Sequence, residues 1–288
     1  MKKFIYPLND YYFFIYVPIM IIKLPDFFNN PSLIDFGFIK IQYYAVSWLL
    51  SALFIYLFLK REASLRKAGL DNESIYDLVF IYGLIFGAMA GGRIGYMLFY
   101  NLDQFFYNPF SLFFIWEGGL SFHGGLIGVI ISSFIFSKRK KLSFLFIADN
   151  ICISMPIGLG LVRIGNFLNG ELYGRFTNAN WGFIFPTDPY QLPRHPSQLY
   201  ESIGEGIILF LILKYISTKK VKKGVISSFF LIFYGLIRFI IEFYRQPDAH
   251  LGLVGLNVFS MGQILCLLMM IAGTLLFFYT RKLNESIY

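Results

Sequence analysis

Tyr76-Asp-Leu-Val-Phe-Ile-Tyr-Gly-Leu-Ile-Phe-Gly-Ala-Met-Ala-Gly-Gly-Arg-Ile-Gly-Tyr-Met-Leu-Phe99 holds one acid and one arginine in a stretch otherwise apolar, small or aromatic. A helix crosses the hydrocarbon core of a bilayer in about 20 residues, so this stretch is long enough to span one. In lipid it has to be helical, because unpaired backbone groups are too costly there. Gly83, Gly87 and Gly91 recur at every fourth position and share one helical face. Small residues at that spacing let helix backbones approach closely where apolar contact alone gives no driving force.

Six further stretches read the same way: residues 43–59, 119–136, 144–167, 199–216, 225–243 and 258–280. Composition agrees. Apolar residues make up 57% of the 288 and charged residues 15%, against roughly 25% charged in soluble domains; the mean hydropathy is +0.60. The expected fold is all-α, a polytopic membrane bundle of about seven transmembrane helices. A transmembrane domain is expected over 43–282, after an N-terminal interfacial or extracytoplasmic segment (1–42) and before a short tail (283–288). Residues 11–22 end at Lys23 and are too short to span, so they read as interfacial. Asp10 before them, and no small-residue cleavage site after them, argue against a signal peptide.

The net charge of +8 does not imply nucleic acid, because surplus Lys and Arg in a membrane protein flank helices on the cytoplasmic side. Basic residues fill the loops after the first, third, fifth and seventh stretches: Lys60, Arg61, Arg66 and Lys67; Lys138 to Lys141; Lys214 to Lys223; Arg281 and Lys282. The intervening loops carry few. This alternation predicts an N-terminus outside and a C-terminus in the cytoplasm. Cys152 and Cys266 lie in apolar stretches and read as small buried hydrophobes, with neither metal spacing nor a disulfide framework.

With this orientation, the expensive polar residues fall toward one face. Arg93 lies late in the second stretch and His123 early in the third; Arg163 and Asn166 close the fourth, with Asn169 and Glu171 just beyond. Tyr200, Glu201 and Glu205 open the fifth; Tyr234, Arg238 and Glu242 occupy the outer half of the sixth; Tyr44 opens the first. Residues 207–213 and 229–233 are purely apolar. Polar groups gathered on one side favour a site open to the outer leaflet over a permeation path, which needs polar groups at mid-bilayer.

Tyr234, Arg238, Glu242 and Arg245 form one helical stripe, in which Glu242 can pair with either arginine. Arg245, at the helix end, reads equally as a structural ion pair or as part of a site. Arg238 lies deeper, and an intramembrane charge is a functional candidate. Arg163-Ile-Gly-Asn-Phe-Leu-Asn-Gly-Glu-Leu-Tyr-Gly174 combines an arginine, two amides and three glycines, as expected of a helix end unwinding around a polar head group. An arginine suits phosphate because its fork makes paired, charge-assisted bonds. His123, between Phe122 and the Gly124–Gly125 pair, reads either as a hydrogen-bonded core group or as a proton acceptor. The two glycines suggest room for a ligand as well as packing.

Together the 163–174 run, Ser121-Phe-His-Gly-Gly125, His195-Pro-Ser-Gln-Leu-Tyr-Glu201 and Arg238-Phe-Ile-Ile-Glu-Phe-Tyr-Arg-Gln-Pro-Asp248 resemble the prolipoprotein diacylglyceryl transferase family. The resemblance runs from about Tyr43 to Gln263. It implies a bacterial plasma-membrane enzyme that transfers the diacylglyceryl group of phosphatidylglycerol to the lipobox cysteine thiol of prolipoproteins, forming a thioether and releasing glycerol phosphate. It implies catalytic roles for His123, Arg163 and Arg238. Asn166, Glu171, Gly174, Tyr44, Arg93, Tyr234 and Glu242 would bind or support the lipid head group, with Asn169, Tyr200, Glu201 and Arg245 as further candidates. The implied partners are phosphatidylglycerol, prolipoprotein signal peptides and the bilayer; no cofactor and no metal are expected. Val162 before Arg163 and Ala45 after Tyr44 stand where the family's pattern has glycine. A lipid transporter would share the spans but needs polar residues through the inner half. A lipid phosphatase or acyltransferase needs a nucleophile arrangement that the sequence does not display.

Overall fold

The structure, a computed structural model, describes residues 22–23, 32–35, 40–114, 118–219, 221–247, 253–254 and 259–282. A helix stands on each of the seven stretches predicted above. They are α1 (Tyr43–Arg61), α3 (Asn72–Tyr100), α5 (Phe122–Arg139), α6 (Phe144–Leu168), α7 (residues 197–217), α8 (Val225–Ile241) and α9 (Met261–Lys282). Short helices α2 (Ala63–Lys67) and α4 (Leu102–Tyr107) lie in the connections. Among the described residues four helices, α1, α3, α6 and α9, are long and apolar enough to cross a membrane; α8 is apolar but shorter. Three small strand pairs decorate the chain: β1 (Ile22–Lys23) with β4 (Phe183–Ile184), β2 (Ser32–Asp35) with β3 (Lys40–Gln42), and β5 (Leu253–Val254) with β6 (Phe259–Ser260). The interfacial reading of residues 11–22 lies almost wholly outside the described residues, as does the tail 283–288.

On two of the helices burial is inverted relative to a water-soluble protein. Helix α1 buries Ser47, Ser51 and Ala52 and exposes Leu49, Leu50, Leu53 and Leu57. Helix α5 buries Gly124, Gly125, Ser132 and Ser133 and exposes Ile127, Ile130, Ile131 and Phe134. Large apolar side chains facing outward around small residues facing inward is the arrangement lipid rewards. The glycine stripe does what its spacing predicted. A Cβ on Gly95 would stand 2.6 Å from the Gly124 Cα, and one on Gly91 would stand 2.7 Å from the Gly124 carbonyl oxygen. Gly124 and Gly125 thus pack directly against α3, and Gly124 also lines a cavity of about 690 Å³ together with Gly91, Gly95 and Gly128.

Helix α6 is the central strut, packed against α1, α7 and α8. It crosses α7 closely at Gly160 and Gly206, where a Cβ on Gly206 would lie 3.0 Å from the Gly160 Cα. Two polar ends result, one more than expected. Asp149, in the half read from sequence as cytoplasmic, is fully buried. Its Oδ1 accepts from the Ser227 N–H (2.7 Å) and hydroxyl (2.6 Å), and its Oδ2 from the Gly224 N–H (2.7 Å). A carboxylate thereby satisfies the orphan N–H groups that begin α8, where the helix dipole also favours negative charge. The expectation that polar groups collect on one side alone is corrected by this residue.

Candidate functional site

The other end of α6 meets the start of α7 and the last turns of α8. The helix does not unwind at Arg163; it continues to Leu168, so Arg163 and Asn166 are held one turn apart on a regular helix. The turn follows at Gly170 and Leu172, both in the left-handed region (φ 64° and 58°). The chain then returns over the helix ends. Gly174 donates its N–H to the His195 carbonyl (2.8 Å), and Arg175 donates to the Tyr244 carbonyl (2.9 Å). A Cβ on Gly174 would sit 2.7 Å from the His195 carbonyl oxygen, so glycine is what lets these three segments cross. A bidentate pair, Arg194 Nε and Nη2 to Asp188 Oδ2 and Oδ1 at 2.9 and 2.8 Å, secures the returning loop. Burial pushes the Asp188 carboxyl up, but the Arg194 bonds and the N–H groups of Tyr190 and Leu192 hold it below the usual carboxylate range.

At the centre stands Glu201, fully buried. Its Oε2 lies 2.7 Å from Arg163 Nε, and its Oε1 lies 2.6 Å from Arg238 Nη1 and 3.3 Å from Arg245 Nη1. One carboxylate therefore gathers three arginines, from α6, from α8 and from the segment just past the end of α8. Arg238 is bound further by Glu205 (3.2 Å) and, through Nη2, by Glu242 (2.9 Å). Glu242 in turn accepts from the Ser260 hydroxyl (3.0 Å). Three arginines face three glutamates, as burial demands: an unpaired charge here would cost several kcal/mol.

The two central arginines are not used alike. Arg238 is enclosed by three carboxylates. Arg163 meets Glu201 only along its Nε edge, reaches Asn166 Oδ1 with Nη1 at 3.4 Å, and has no contact for Nη2 among the described residues. Its side chain keeps 20% of its surface accessible. Like Arg245, which meets Glu201 through Nη1 alone, it has donors to spare. Asn166 passes the network on, donating to Glu171 Oε1 (2.8 Å), and Gln198 donates to the Glu171 carbonyl (2.6 Å).

Of the sequence candidates, Arg163, Asn166, Glu171, Glu201, Arg238, Glu242 and Arg245 join one network. Asn169 caps the end of α6 beside it. Tyr234 stacks on Phe230 (5.7 Å between centroids) one turn before Arg238. Tyr200 closes the rim, accepting from the Trp181 indole (2.9 Å) and meeting His195 Nδ1 (3.1 Å). Tyr44 contributes backbone: its Cα packs where a Cβ on Gly165 would fall, 3.2 Å away. Arg93 stands apart, buried and bonded to the carbonyls of Ser111, Leu112, Gly118 and Gly119. It pins the segment between α4 and α5. His123 is exposed on α5, touches Phe122 edge-on (5.7 Å), and shares no hydrogen bond with the arginine network. Glu205, placed by sequence only among the polar residues of this face, and Gln198, seen only within a motif, were not among the named site candidates. Their spacing with Glu201, at i, i+3 and i+7 along one face of α7, was the signal.

Outward-facing apolar helices and a buried arginine–glutamate cluster enclosed at one end define an integral membrane protein with a polar site among its helices. The chain belongs to the prolipoprotein diacylglyceryl transferase family, whose model matches residues 31–279. The match extends beyond both ends of the resemblance seen in the motifs and takes in β2 and β3. A relative from Geobacter sulfurreducens is 44% identical over 85% of this chain and 92% of its own length. Relatives from Photobacterium profundum (46% identical; 88% and 94% covered) and Vibrio cholerae (44% identical; 88% and 92%) are similarly close. All three carry the name phosphatidylglycerol–prolipoprotein diacylglyceryl transferase.

Proposed function

We propose that this protein transfers the diacylglyceryl group of phosphatidylglycerol to the lipobox cysteine of prolipoproteins. The observation that carries the reading is Arg163: a guanidinium within a buried network, anchored along one edge by Glu201 and presenting unused donors. In the reaction, the cysteine sulfur attacks the glycerol carbon that bears the phosphate. A C–S bond forms, the C–O bond breaks, and the electron pair leaves on the phosphate oxygen as glycerol phosphate. The thiol proton, on a group with pKa ~8.5, has to be removed for sulfur to be a good nucleophile. Arg163 holds the phosphate as its charge grows, which is where a preorganised cation lowers the barrier most. Arg238, fixed by three glutamates, sets the field behind it. The exposed ring of His123 is accessible to an incoming thiol, either as its proton acceptor or as an orienting group.

In this reading residues 43–282 are the catalytic domain and all seven helices span the bacterial plasma membrane, with the N-terminus outside and the C-terminus in the cytoplasm. The basic residues that follow α1, α5, α7 and α9 support that orientation. It places the arginine network toward the outer leaflet. Purified protein incubated with phosphatidylglycerol and a lipobox peptide should yield thioether-linked peptide by mass spectrometry. Lipid movement between leaflets without peptide modification would overturn the reading.

A further inference from the structure

The buried cluster is electrically balanced by its own side chains. Arg163, Arg238 and Arg245 supply the positive charges, and Glu201, Glu205 and Glu242 an equal number of negative ones. Glu171, reached through Asn166 at the rim, adds a further acid. A phosphodiester engaging Arg163 brings one more negative charge into a place where water screens little. Uncompensated buried charge is costly, and a group able to change its protonation does so instead.

The glutamates are held unequally. Glu201 meets three guanidinium groups, and Glu242 meets Arg238 at 2.9 Å and the Ser260 hydroxyl at 3.0 Å. Glu205, fully buried one turn further along α7, meets Arg238 Nη1 through Oε1 at 3.2 Å, the longest of the three carboxylate contacts to that arginine. Its Oε2 has no hydrogen-bond partner among the described residues. Glu201 Oε2 and Glu242 Oε2 also lack a well-aligned bond, but they lie 2.7 and 2.9 Å from guanidinium nitrogens. Around Glu205 stand Glu201 on its own helix, Arg163 on α6, Tyr234 and Arg238 on α8, and Cys266 on α9; Glu242 and Arg245 complete the cluster past the end of α8. A proton on Glu205 would leave the Oε1 contact in place and turn the bare oxygen into a donor. A proton on either other glutamate would weaken a closer ion pair.

We propose that Glu205 takes up a proton as an anionic phosphate binds at Arg163, and returns it when the phosphate leaves. The inference rests on the transferase reading above. The step forms one O–H bond on Glu205 Oε2 with a proton drawn from solvent, so the cluster and its bound phosphodiester together stay neutral. Glu205 touches no reacting atom; it is a positioning residue that acts through Arg238 and Arg163. Once neutral, it no longer opposes the charge of the phosphate, while Arg238 keeps Glu201 and Glu242 as partners. The phosphate gains further negative charge as its C–O bond breaks, and a cluster that has given up one carboxylate charge stabilises that change better.

The test titrates full-length protein in phosphatidylcholine nanodiscs with short-chain phosphatidylglycerol, by calorimetry in two buffers of different ionisation enthalpy. The wild type should take up about one proton per lipid bound, and its Kd should rise about tenfold per pH unit over the range of that uptake. Infrared difference spectra should show a protonated-carboxyl C=O stretch appearing on binding. Glu205→Gln should lose both the uptake and the band. Glu205→Asp should keep the uptake and shift the band, whereas Glu242→Asp should leave the band where it is; this pair identifies the residue if Glu205→Gln fails to fold. Binding without proton uptake in the wild type overturns the proposal, as does a band that moves in Glu242→Asp and not in Glu205→Asp. No binding of phosphatidylglycerol at all overturns the transferase reading itself, which separates the two failures.

Discussion

The two ends of α6 bury charge in opposite ways. At one end Asp149 accepts three short bonds from Gly224 and Ser227, and its charge is matched to the start of α8. At the other, Arg163 leaves guanidinium donors unused, while Gln198 and Asn169 leave acceptors unused. Both are expensive placements in lipid, and among the described residues only the first is closed by the protein's own groups. A buried polar group that is fully satisfied is architecture. One that is half satisfied and held rigid is prepared for something else.

Replacing groups at each end should separate activity from stability. The largest effect is expected from Arg163→Gln: thioether formation should fall by at least ~10²-fold while the protein stays folded in the membrane. Unchanged turnover in a mass-spectrometric assay would remove Arg163 from the phosphate clamp. Glu201→Gln should come next, loosening Arg163, Arg238 and Arg245 together at a cost of about 3 kcal/mol in stability, with activity lost as well. Combined with Arg163→Gln its effect on rate should be less than additive, since both act through one contact; strict additivity in a double-mutant cycle would argue against that hub. Asp149→Ala should cost about 2 kcal/mol of stability by orphaning the α8 N–H groups. The KM for phosphatidylglycerol should not move, and a raised KM would mean that the two ends communicate.

The smallest effect concerns pH. Burial holds the His195 imidazole below its usual value, so the folded protein binds its proton less readily than the unfolded chain. The associated stability is complete above the ordinary histidine value of about 6.5 and is lost as pH falls below it. Thermal unfolding between pH 7.5 and 5 should show a slight decline that His195→Gln abolishes. A decline of the same size in the variant would assign the effect elsewhere.

Much of this arrangement was legible before the structure. Arg163 and Asn166 lie one turn apart on α6, and Arg238 and Glu242 one turn apart at the end of α8, so their proximity needed only helical geometry; Glu171 and Arg245 stand past the helix ends, and the helical stripe read from sequence stops before Arg245. Partnership between groups did not follow. Arg245 was read beside Glu242, yet its guanidinium turns to Glu201 on α7. Arg93 has the same cost and depth signature as Arg163, but backbone carbonyls rather than glutamates surround it. Sequence spacing does not say which neighbour faces an arginine.

What the sequence alone determined is the place of the seven apolar helices, because apolar length and the ban on unpaired backbone in lipid leave a chain few alternatives. It also marked the glycine face of α3 as a place of close helix approach, while the structure identified α5 as the partner. Tertiary structure alone decided that Glu201 gathers three arginines, that Asp149 closes one end, and that Gln198 is left with an open acceptor. Those outcomes depend on how helices distant in sequence are rotated against one another, and hydrogen bonds and ion pairs respond to ångströms that no spacing encodes.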